Sequence, residues 1–179
     1  GTPILVAVDL LVPAGTASPK GRRSARLPGH AKDAAMKVVG IEGALVDNDC
    51  LEIKDARGRS CSVRVAGPAA LLVAKVHKIE DRLSTPSRLT DKDALDVFRL
   101  LRGTATGEMA DRMRLVMSDD RSRPVAKQAV EALPRLFGSL DGAGVSMAIR
   151  ATDSLMSPAE VGASMVTLIA DLLSDLKSR

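Results

Sequence analysis

The chain has 179 residues, 45% hydrophobic and 27% charged, a composition typical of a globular protein and not of a disordered one. Only 1% of the residues are aromatic, with no Trp or Tyr, so the core must be aliphatic. The same shortage nearly excludes base stacking on aromatic side chains, the usual way of binding single-stranded nucleic acid. A net charge of +4 permits contact with phosphates but does not require it.

The length predicts one domain, or one domain with a helical extension. No apolar run reaches the ~18 residues needed to span a bilayer, and the first residues lack a basic start and cleavage site. We therefore expect a soluble, cytoplasmic protein that does not enter a membrane. The chain begins Gly-Thr-Pro in place of Met, directly before an apolar segment, and we interpret it as N-terminally incomplete, either as a fragment or through a miscalled start.

Residues 4–12 are apolar and rich in β-branched side chains, which predicts a buried strand. Asp9 is the only charged residue in this segment. An isolated carboxylate in a buried strand is costly unless it binds a cation, so Asp9 is a candidate metal ligand. The alternative is a structural aspartate at a sheet edge or near a strand end.

Residues 13–33 are rich in Gly, Pro and Ser, which predicts a loop or loose hairpin. The segment contains a single acid and a series of basic residues, which are Lys20, Arg22, Arg23, Arg26, His30 and Lys32. Such a series either collects the phosphates of a nucleotide or RNA, or belongs to a solvated loop. It lacks the Gly-Lys-Ser/Thr ending of a Walker loop.

Short apolar segments alternate with turns between residues 37 and 66, which predicts a β meander. Alternation of Ser62 and Arg64 with apolar neighbours favours a strand with one solvated face. The two cysteines, Cys50 and Cys61, belong to no close Cys/His group, so we expect free, buried thiols and neither a disulfide scaffold nor a zinc site.

Residues 67–102 are predicted to form two helices joined by a short polar loop. The first begins with Pro68, well placed as a first helical residue. Its predicted core-facing stripe consists of aliphatic residues at helical spacing, Leu71, Leu72, Ile79 and Leu83. Lys75 lies in the middle of this stripe, and Arg82 lies two turns further on the same side. An ammonium in an apolar face must reach solvent, pair with a carboxylate or line a cleft.

The second helix is predicted to start with a capping box, Thr90 to Asp93, and to run to about Arg102. Its buried stripe is predicted to contain four apolar residues, Ala94, Val97, Phe98 and Leu101. Asp93 and Asp96 project together from a neighbouring flank. A lysine on one helix and paired carboxylates on the next can build a charged site between the two helices.

Three further helical segments are predicted, at residues 108–117, from Pro124 to about Leu140 with an interruption near Pro134, and from Pro158 onward after a Ser157 cap. The last carries a broad apolar stripe from Val161 to Leu176. This stripe needs a partner, either the preceding helices or another subunit, so an oligomer through the C-terminal helix is one possibility.

The runs around Lys75 to Arg82 and Lys92-Asp93-Ala-Leu-Asp96 resemble the C-terminal motifs of AbiEii-type nucleotidyltransferase-like proteins, a family that includes toxins of bacterial toxin–antitoxin and abortive-infection systems. The likeness covers about residues 60–102. The family's opening motif, a Gly-Gly or Gly-Ser turn followed by an Asp-x-Asp strand, does not occur in the chain.

The resemblance implies an enzyme that transfers a nucleotide from an NTP to an RNA or protein acceptor, with Mg²⁺ and an antitoxin protein as a possible partner. Lys75 would contact the nucleotide phosphates or activate the acceptor hydroxyl, and Arg82 would support the phosphate side. Asp96, with Asp93, would orient the acceptor or act as base. Asp9 resembles the family's third acid and would bind the metal.

The residues themselves also allow purely structural roles. Lys75 would then only pair with Glu80, Asp93 or Asp96, and Asp93 would only cap its helix. Asp96 would pair along its own helix with Lys92 and Arg99. His77, opposite the predicted stripe, is expected to be an ordinary surface residue. Two other functions stay open, a degenerate non-catalytic relative that binds nucleotide or a partner protein, and a basic helical nucleic-acid-binding module.

The predicted fold class is α+β. An antiparallel or mixed sheet of nucleotidyltransferase type is expected in residues 1–66, and a helical bundle in residues 67–179.

Overall fold

A computed structural model describes residues 8–17, 24–25, 29–30, 34–152 and 156–178. All of the described strands precede residue 67 and all six α-helices follow it, so the predicted α+β class and the order of its two parts are confirmed. No helix in these ranges is long and apolar enough to cross a membrane.

The first sheet is small and mixed. It contains β1 (Leu11–Pro13), β2 (Ser24–Ala25) and β3 (Ala35–Val38) in the order β1-β3-β2. β3 pairs in parallel with β1 and antiparallel with β2, with Met36 opposite both Leu11 and Ser24. Of the predicted buried strand at residues 4–12, residues 4–7 lie outside the described residues. Leu11 and Val12 do form a strand, as part of β1, but residues 8–10 form none, and the expected burial is wrong because Val8 is 74% exposed.

The second sheet is a hairpin of β4 (Asn48–Lys54) and β5 (Ser60–Ala66). Its turn is closed by the Asp55 carboxylate, which accepts hydrogen bonds from the backbone N–H groups of Arg57 and Arg59. Both faces are largely exposed, and so are the free thiols of Cys50 and Cys61. The expected single wet face and buried thiols are therefore wrong, because no described element packs over the hairpin's apolar side.

The described residues form six α-helices, which are α1 (Pro68–Leu83), α2 (Asp91–Gly103), α3 (Thr106–Ser118), α4 (Arg123–Phe137), α5 (Ala143–Ala151) and α6 (Pro158–Ser178). Two short 3₁₀ helices, Glu42–Leu45 and Pro86–Arg88, precede α1 and α2. The sequence did not predict α5, and the first 3₁₀ helix lies within residues 37–66, where the sequence predicted only strands and turns. Pro134 lies inside the last turn of α4 and does not interrupt it.

The hydrophobic core lies within the helical half, with Leu72, Met113, Leu133, Phe137 and Ile169 among its fully buried side chains. The apolar stripe of α6 packs against α3, α4 and α5 of the same chain, which is the first of the two predicted alternatives. The predicted start of α6 is confirmed: the Ser157 N–H donates to Glu160 Oε2 at 2.7 Å, and the Glu160 N–H donates to Ser157 Oγ at 3.2 Å.

Candidate functional site

The start of α1 is fixed by a carboxylate from another element. Gly67, its N-cap residue, has no side chain to accept hydrogen bonds, and Asp47 supplies the acceptor: the Ala70 N–H donates to Asp47 Oδ2 at 2.9 Å. A Cβ at position 67 would overlap this carboxylate, so glycine is required there. Asp47 is buried, and Arg112 of α3 donates to its other oxygen at 2.8 Å. This bonding anchors the first turn of α1, the helix that carries Lys75.

The α1 stripe differs from the predicted one. Leu71 and Leu83 are 37% and 39% exposed, while the buried face contains Ala69, Leu72, Val73, Val76 and Ile79. Lys75 therefore lies on the flank beside the core, with Leu71, and not in the middle of the buried stripe. The predicted buried stripe of α2 is confirmed in all four positions.

Lys75 bridges the two predicted carboxylates of α2. Its ammonium donates to Asp93 Oδ1 at 2.9 Å and to Asp96 Oδ2 at 2.6 Å. Lys78 donates to the same oxygen of Asp93 at 2.8 Å. The Asp93 side chain is only 4% exposed, against 25% for Lys75 and 24% for Asp96. The predicted site between the two helices is thus formed, with Lys78 as an additional member.

Two arginines complete the cluster at longer range. Arg82 Nη1 lies 3.8 Å from Asp93 Oδ2, and Arg99 Nη1 lies 3.7 Å from Asp96 Oδ1. The cluster therefore contains four cations, Lys75, Lys78, Arg82 and Arg99, and two carboxylates, which leaves an excess of two positive charges.

Asp93 does not cap α2. Thr90 is the N-cap residue, but no side-chain capping hydrogen bond is formed there, and the Asp93 carboxylate points to the lysines of α1. The predicted capping box is therefore wrong. Lysines on the neighbouring helix give this nearly buried carboxylate two charge-assisted hydrogen bonds, which a cap would not supply.

The pKa values of Lys75 and Asp93 are shifted by their contact with each other. Burial lowers the pKa of the Lys75 ammonium, but hydrogen bonds to Asp96 and Asp93 outweigh burial, and the pKa is raised above its ordinary value. Burial raises the pKa of Asp93, but hydrogen bonds from Lys78 and Lys75 outweigh it, and the pKa is lowered. Lys75 is thus a permanent cation at neutral pH, which suits it to phosphate contact and not to general-base catalysis.

A cavity of about 430 Å³ opens beside the cluster, lined by Leu71, Lys75, Asp96, Arg99, Leu100, Gly103 and Thr104. Its walls combine aliphatic side chains with two cations and one carboxylate. This volume lies within the range of small-molecule sites, and the few convergent polar groups in an apolar lining are typical of them. Lys78 and Arg82 stand outside the lining, on the Asp93 side.

A magnesium ion does not fit the cluster as it is arranged. Each carboxylate is already hydrogen-bonded to at least one ammonium, and a divalent ion there would lie against like charge. Asp9, the predicted metal ligand, is exposed. No group of three or more His, Cys, Asp or Glu side chains able to hold a metal occurs in the part of the chain that the structure describes.

His77 is not an ordinary surface residue, contrary to expectation. It is half-buried, and its Nε2–H donates to the Val125 carbonyl of α4 at 2.8 Å, which also fixes its tautomer. Gly40 packs against it with φ +92°, and a Cβ there would overlap the imidazole. His77 therefore joins the segment before the first 3₁₀ helix to α1 and α4.

The basic residues of the 13–33 loop lie outside the described residues, except the exposed His30.

The sequence did not single out Arg112 or assign Asp47 any role beyond a turn. Arg112 of α3 joins Asp47, Asp49 and Glu108, with its guanidinium 2.8, 3.2 and 3.1 Å from their carboxylates. The hydrogen bonds to Asp47 and Asp49 raise the pKa of Arg112 above its ordinary value. The one sequence signal for the role of Asp47 was Gly67 at the start of α1. Because glycine has no side chain to cap the helix, the first backbone N–H groups need an acceptor from another element.

Comparison with protein-family models, with curated proteins and with solved structures finds no match in any of the three.

Proposed function

We propose that this protein is a nucleotidyltransferase-like protein that binds the phosphates of an NTP in the cleft between α1 and α2, for transfer of the nucleotide to an RNA or protein acceptor. The observation that carries the proposal is the excess of two positive charges around Lys75, beside a cavity of about 430 Å³. A toxin-like role with an antitoxin partner rests on the sequence resemblance alone.

The hydrogen-bond pattern allows the Lys75 ammonium to leave Asp93 and bind a ligand with little loss of stability. Asp93 accepts from both Lys75 and Lys78, so release of Lys75 leaves this nearly buried carboxylate paired with Lys78 and close to Arg82. A buried carboxylate with no partner would be strongly destabilising, and the second lysine prevents that. Lys75 lines the cavity and is partly exposed, so a phosphate oxygen can replace a carboxylate oxygen as its acceptor.

In this proposal Asp96 orients the acceptor group. Its Oδ2 accepts a hydrogen bond from Lys75. Its Oδ1 lies 3.7 Å from Arg99 Nη1, which is an ion pair but too long for a hydrogen bond. When Lys75 moves to the phosphate, Asp96 is left at the cavity wall with acceptor capacity for a hydroxyl. Mg²⁺ is expected from the resemblance, but the cluster does not fit it.

One observation favours the non-catalytic alternative, in which the cleft binds a nucleotide without transfer. Both carboxylates of the cluster are paired with cations, so neither is free to act as a base before a ligand arrives. The two functions share the phosphate site and differ only in whether the bound nucleotide is transferred to an acceptor.

The test compares Lys75→Met with Lys78→Met. Both changes remove one cation from Asp93 and retain an unbranched side chain, but only Lys75 lines the cavity. We expect Lys75→Met to weaken binding of ATP or GTP at least tenfold, about 1.4 kcal/mol, in calorimetric titration with magnesium present. Lys78→Met should bind within about threefold of wild type, which corresponds to ~0.7 kcal/mol.

Thermal unfolding of both variants supplies the control for folding. Unchanged nucleotide affinity in a folded Lys75→Met protein would remove Lys75 from the site, and the proposed function would fail with it. Transfer of radiolabel from an NTP to RNA or protein, lost in Lys75→Met, separates the enzyme from the non-catalytic binder.

A further inference from the structure

The β4–β5 hairpin has one apolar and one polar face. Residues directly opposite each other in its antiparallel register share a face, and successive residues of a strand alternate between faces. One face carries apolar side chains, which are Leu51, Ile53, Cys61, Val63 and Val65. The other carries mainly polar side chains, which include Cys50, Glu52, Lys54, Ser62 and Arg64. The first set is called the apolar arm face below.

The apolar arm face is open to solvent. Leu51, Ile53 and Val65 are 49%, 51% and 40% exposed. A two-stranded hairpin is at best marginally stable in water, and packing of its apolar face on another element stabilises it. Several large apolar side chains exposed together on a regular sheet are typical of an interaction surface. The charges at the two ends of the hairpin indicate what covers this surface.

The tip of the hairpin is positively charged. It carries three cations and two acids, which are Lys54, Arg57, Arg59, Glu52 and Asp55. Lys54 lies 3.7 Å from Glu52, and Arg59 lies 2.7 Å from Asp55. Arg57 pairs with no carboxylate of the described residues. The tip therefore has an excess of one positive charge.

The base of the hairpin is negatively charged. Asp49 lies there on the same side as the apolar arm face, opposite Val65, and is exposed. Arg112 of α3 pairs with Asp49, and the same arginine also pairs with Asp47 and Glu108. Three acids around one cation leave an excess of two negative charges.

The charges at the tip and the base lie too far apart to neutralise each other within one copy of the chain. β4 runs from Asn48 to Lys54, and its seven residues at about 3.4 Å each span roughly 20 Å, twice the Debye length of about 10 Å at ~0.1 M salt. A second copy related by a twofold axis, with its hairpin antiparallel to the first, places each tip against the opposite base. Each end then meets opposite charge, and the two apolar arm faces cover one another.

We propose that two copies of this chain form a symmetric dimer by packing their apolar arm faces together, with the hairpins antiparallel. Leu51 and Val63 form the middle of the three residue pairs on this side, so they lie nearest the twofold axis and meet their own copies. A face roughly 20 Å long and two strands wide is small against the ~800 Å² that each partner buries in a stable complex. The dimer is therefore weak, and at low micromolar concentration the chain is a monomer with this face uncovered. The proposal is independent of the proposed function.

The first measurement is sedimentation velocity of the 179-residue chain from micromolar to near-millimolar concentration. We expect monomer at the lower end and dimer at the upper end, with less dimer at high salt because the attraction between tip and base is screened. Val63→Lys should abolish the dimer, because it places a charge on the apolar arm face at the axis. Ser62→Lys adds the same charge to the opposite face and should leave the dimer unchanged, with thermal unfolding as the control for folding in both variants.

A chain that stays monomeric over the whole concentration range would overturn the proposal. A dimer that Val63→Lys and Ser62→Lys affect equally would overturn it as well, because such a dimer does not form through the apolar arm face.

The two cysteines supply a matched pair of probes for the covered face. Cys61 lies on the apolar arm face and Cys50 on the opposite one, and both are exposed in the single chain. Alkylation followed by mass spectrometry measures the reaction rate of each thiol separately. We expect Cys61 to react severalfold more slowly at near-millimolar than at micromolar protein concentration, while Cys50 keeps its rate. Equal rates of change for the two thiols would overturn the proposal.

Cross-linking tests the antiparallel arrangement. In a chain with Cys50→Ser and Cys61→Ser, the further variants Val63→Cys and Ser62→Cys each place one thiol on a chosen face. Sheets packed face to face lie ~10 Å apart, so the two thiols of Val63→Cys come within reach of a short bis-maleimide, while those of Ser62→Cys lie on the two outer faces. We expect cross-linked dimer only for Val63→Cys. Equal cross-linking of the two variants, or none for Val63→Cys at dimer concentrations, would overturn the proposed arrangement.

Discussion

The two halves of the molecule are stabilised by different interactions. In the helical half, closely packed apolar side chains form one buried core, whose first residue in the chain is Ala69 and whose last is Leu172. In the described part before residue 67, the buried apolar side chains are only Ala25 and Ala35, and the larger buried side chains are the acids Glu42 and Asp47. Their carboxylates accept hydrogen bonds from backbone N–H groups, Glu42 from Gly40 and Gly15, and Asp47 from Ala70.

The difference shows that the N-terminal strands have little core of their own. A small mixed sheet and a two-stranded hairpin are not stable in water without packing against other elements. In this protein, hydrogen bonds to buried carboxylates and the packing of the first 3₁₀ helix on α1 connect the strands to the helices. We therefore expect stability to depend mainly on apolar packing after residue 67 and on a few polar contacts before it.

The largest effect is expected for Phe137→Ala in the centre of the helical core. Phe137 is fully buried, and its ring packs so closely on Gly144 that a Cβ there would overlap it. The cavity should lower the free energy of unfolding by about 3–5 kcal/mol in chemical denaturation. Leu140→Ala is the control, because Leu140 is 61% exposed and should cost no more than about 0.5 kcal/mol. Similar losses in the two variants would contradict a core centred on the helices.

A smaller effect is expected for Asp47→Ala at the junction of the two halves. The change removes the acceptor for the first turn of α1 and one partner of Arg112, and should cost about 1–3 kcal/mol. Asp49→Ala is the matched control, since Asp49 pairs with the same arginine but is 51% exposed and should cost under about 1 kcal/mol. A cost for Asp47→Ala no larger than that for Asp49→Ala would show that the junction does not depend on the cap.

The sequence predicted correctly those features that depend on a local pattern, and it failed where packing against other helices decides which residues are buried. The α2 stripe was predicted correctly because a single periodic face explains its apolar residues. In α1 the apolar residues extend beyond one face, and packing against α2, α3 and α4 decides that Val73 and Val76 are buried while Leu71 and Leu83 are exposed. Periodicity alone cannot make that choice.

Features that depend on contacts between elements were the ones missed. Helix α5 contains Gly144, which disfavours a helix by local propensity but is required by the closeness of the Phe137 ring. The Lys75 cluster was predicted because two helices joined by a short loop lie side by side. The Asp47 cap joins residues 23 apart in the chain through no shared pattern, and its only signal in the sequence was the indirect one of Gly67 at a helix start.

The charged cluster adds a pH dependence to the helical half. The pKa of Asp93 is lowered in the folded protein, so its ionised form stabilises the fold fully above the unfolded pKa, near 4, and this contribution is lost as the pH falls through the folded value. The unfolding free energy of wild type should therefore decrease below about pH 4 more steeply than that of Asp93→Asn. Urea denaturation between pH 6 and pH 2.5 measures both slopes.

The exposed Asp141 provides the control, because Asp141→Asn should keep the wild-type slope. Parallel curves for wild type and Asp93→Asn would contradict the stabilising pairing of Asp93 with Lys75 and Lys78.

The smallest effect is expected on the β4–β5 hairpin. Ile53 lies on its apolar face with Leu51, Val63 and Val65, and is 51% exposed because no described element covers that face. Ile53→Thr keeps a β-branched side chain, which suits a strand, and should change the free energy of unfolding by no more than about 0.5 kcal/mol.

The same substitution in the helical core is the matched control. Ile79 is 1% exposed, and Ile79→Thr places a hydroxyl among apolar side chains and leaves a cavity, which should cost about 2 kcal/mol or more. Denaturant unfolding of the two variants at one protein concentration compares the halves directly. If Ile53→Thr costs as much as Ile79→Thr, the hairpin face is covered in solution, and the contrast between a packed helical half and a thinly packed N-terminal half is wrong at this point.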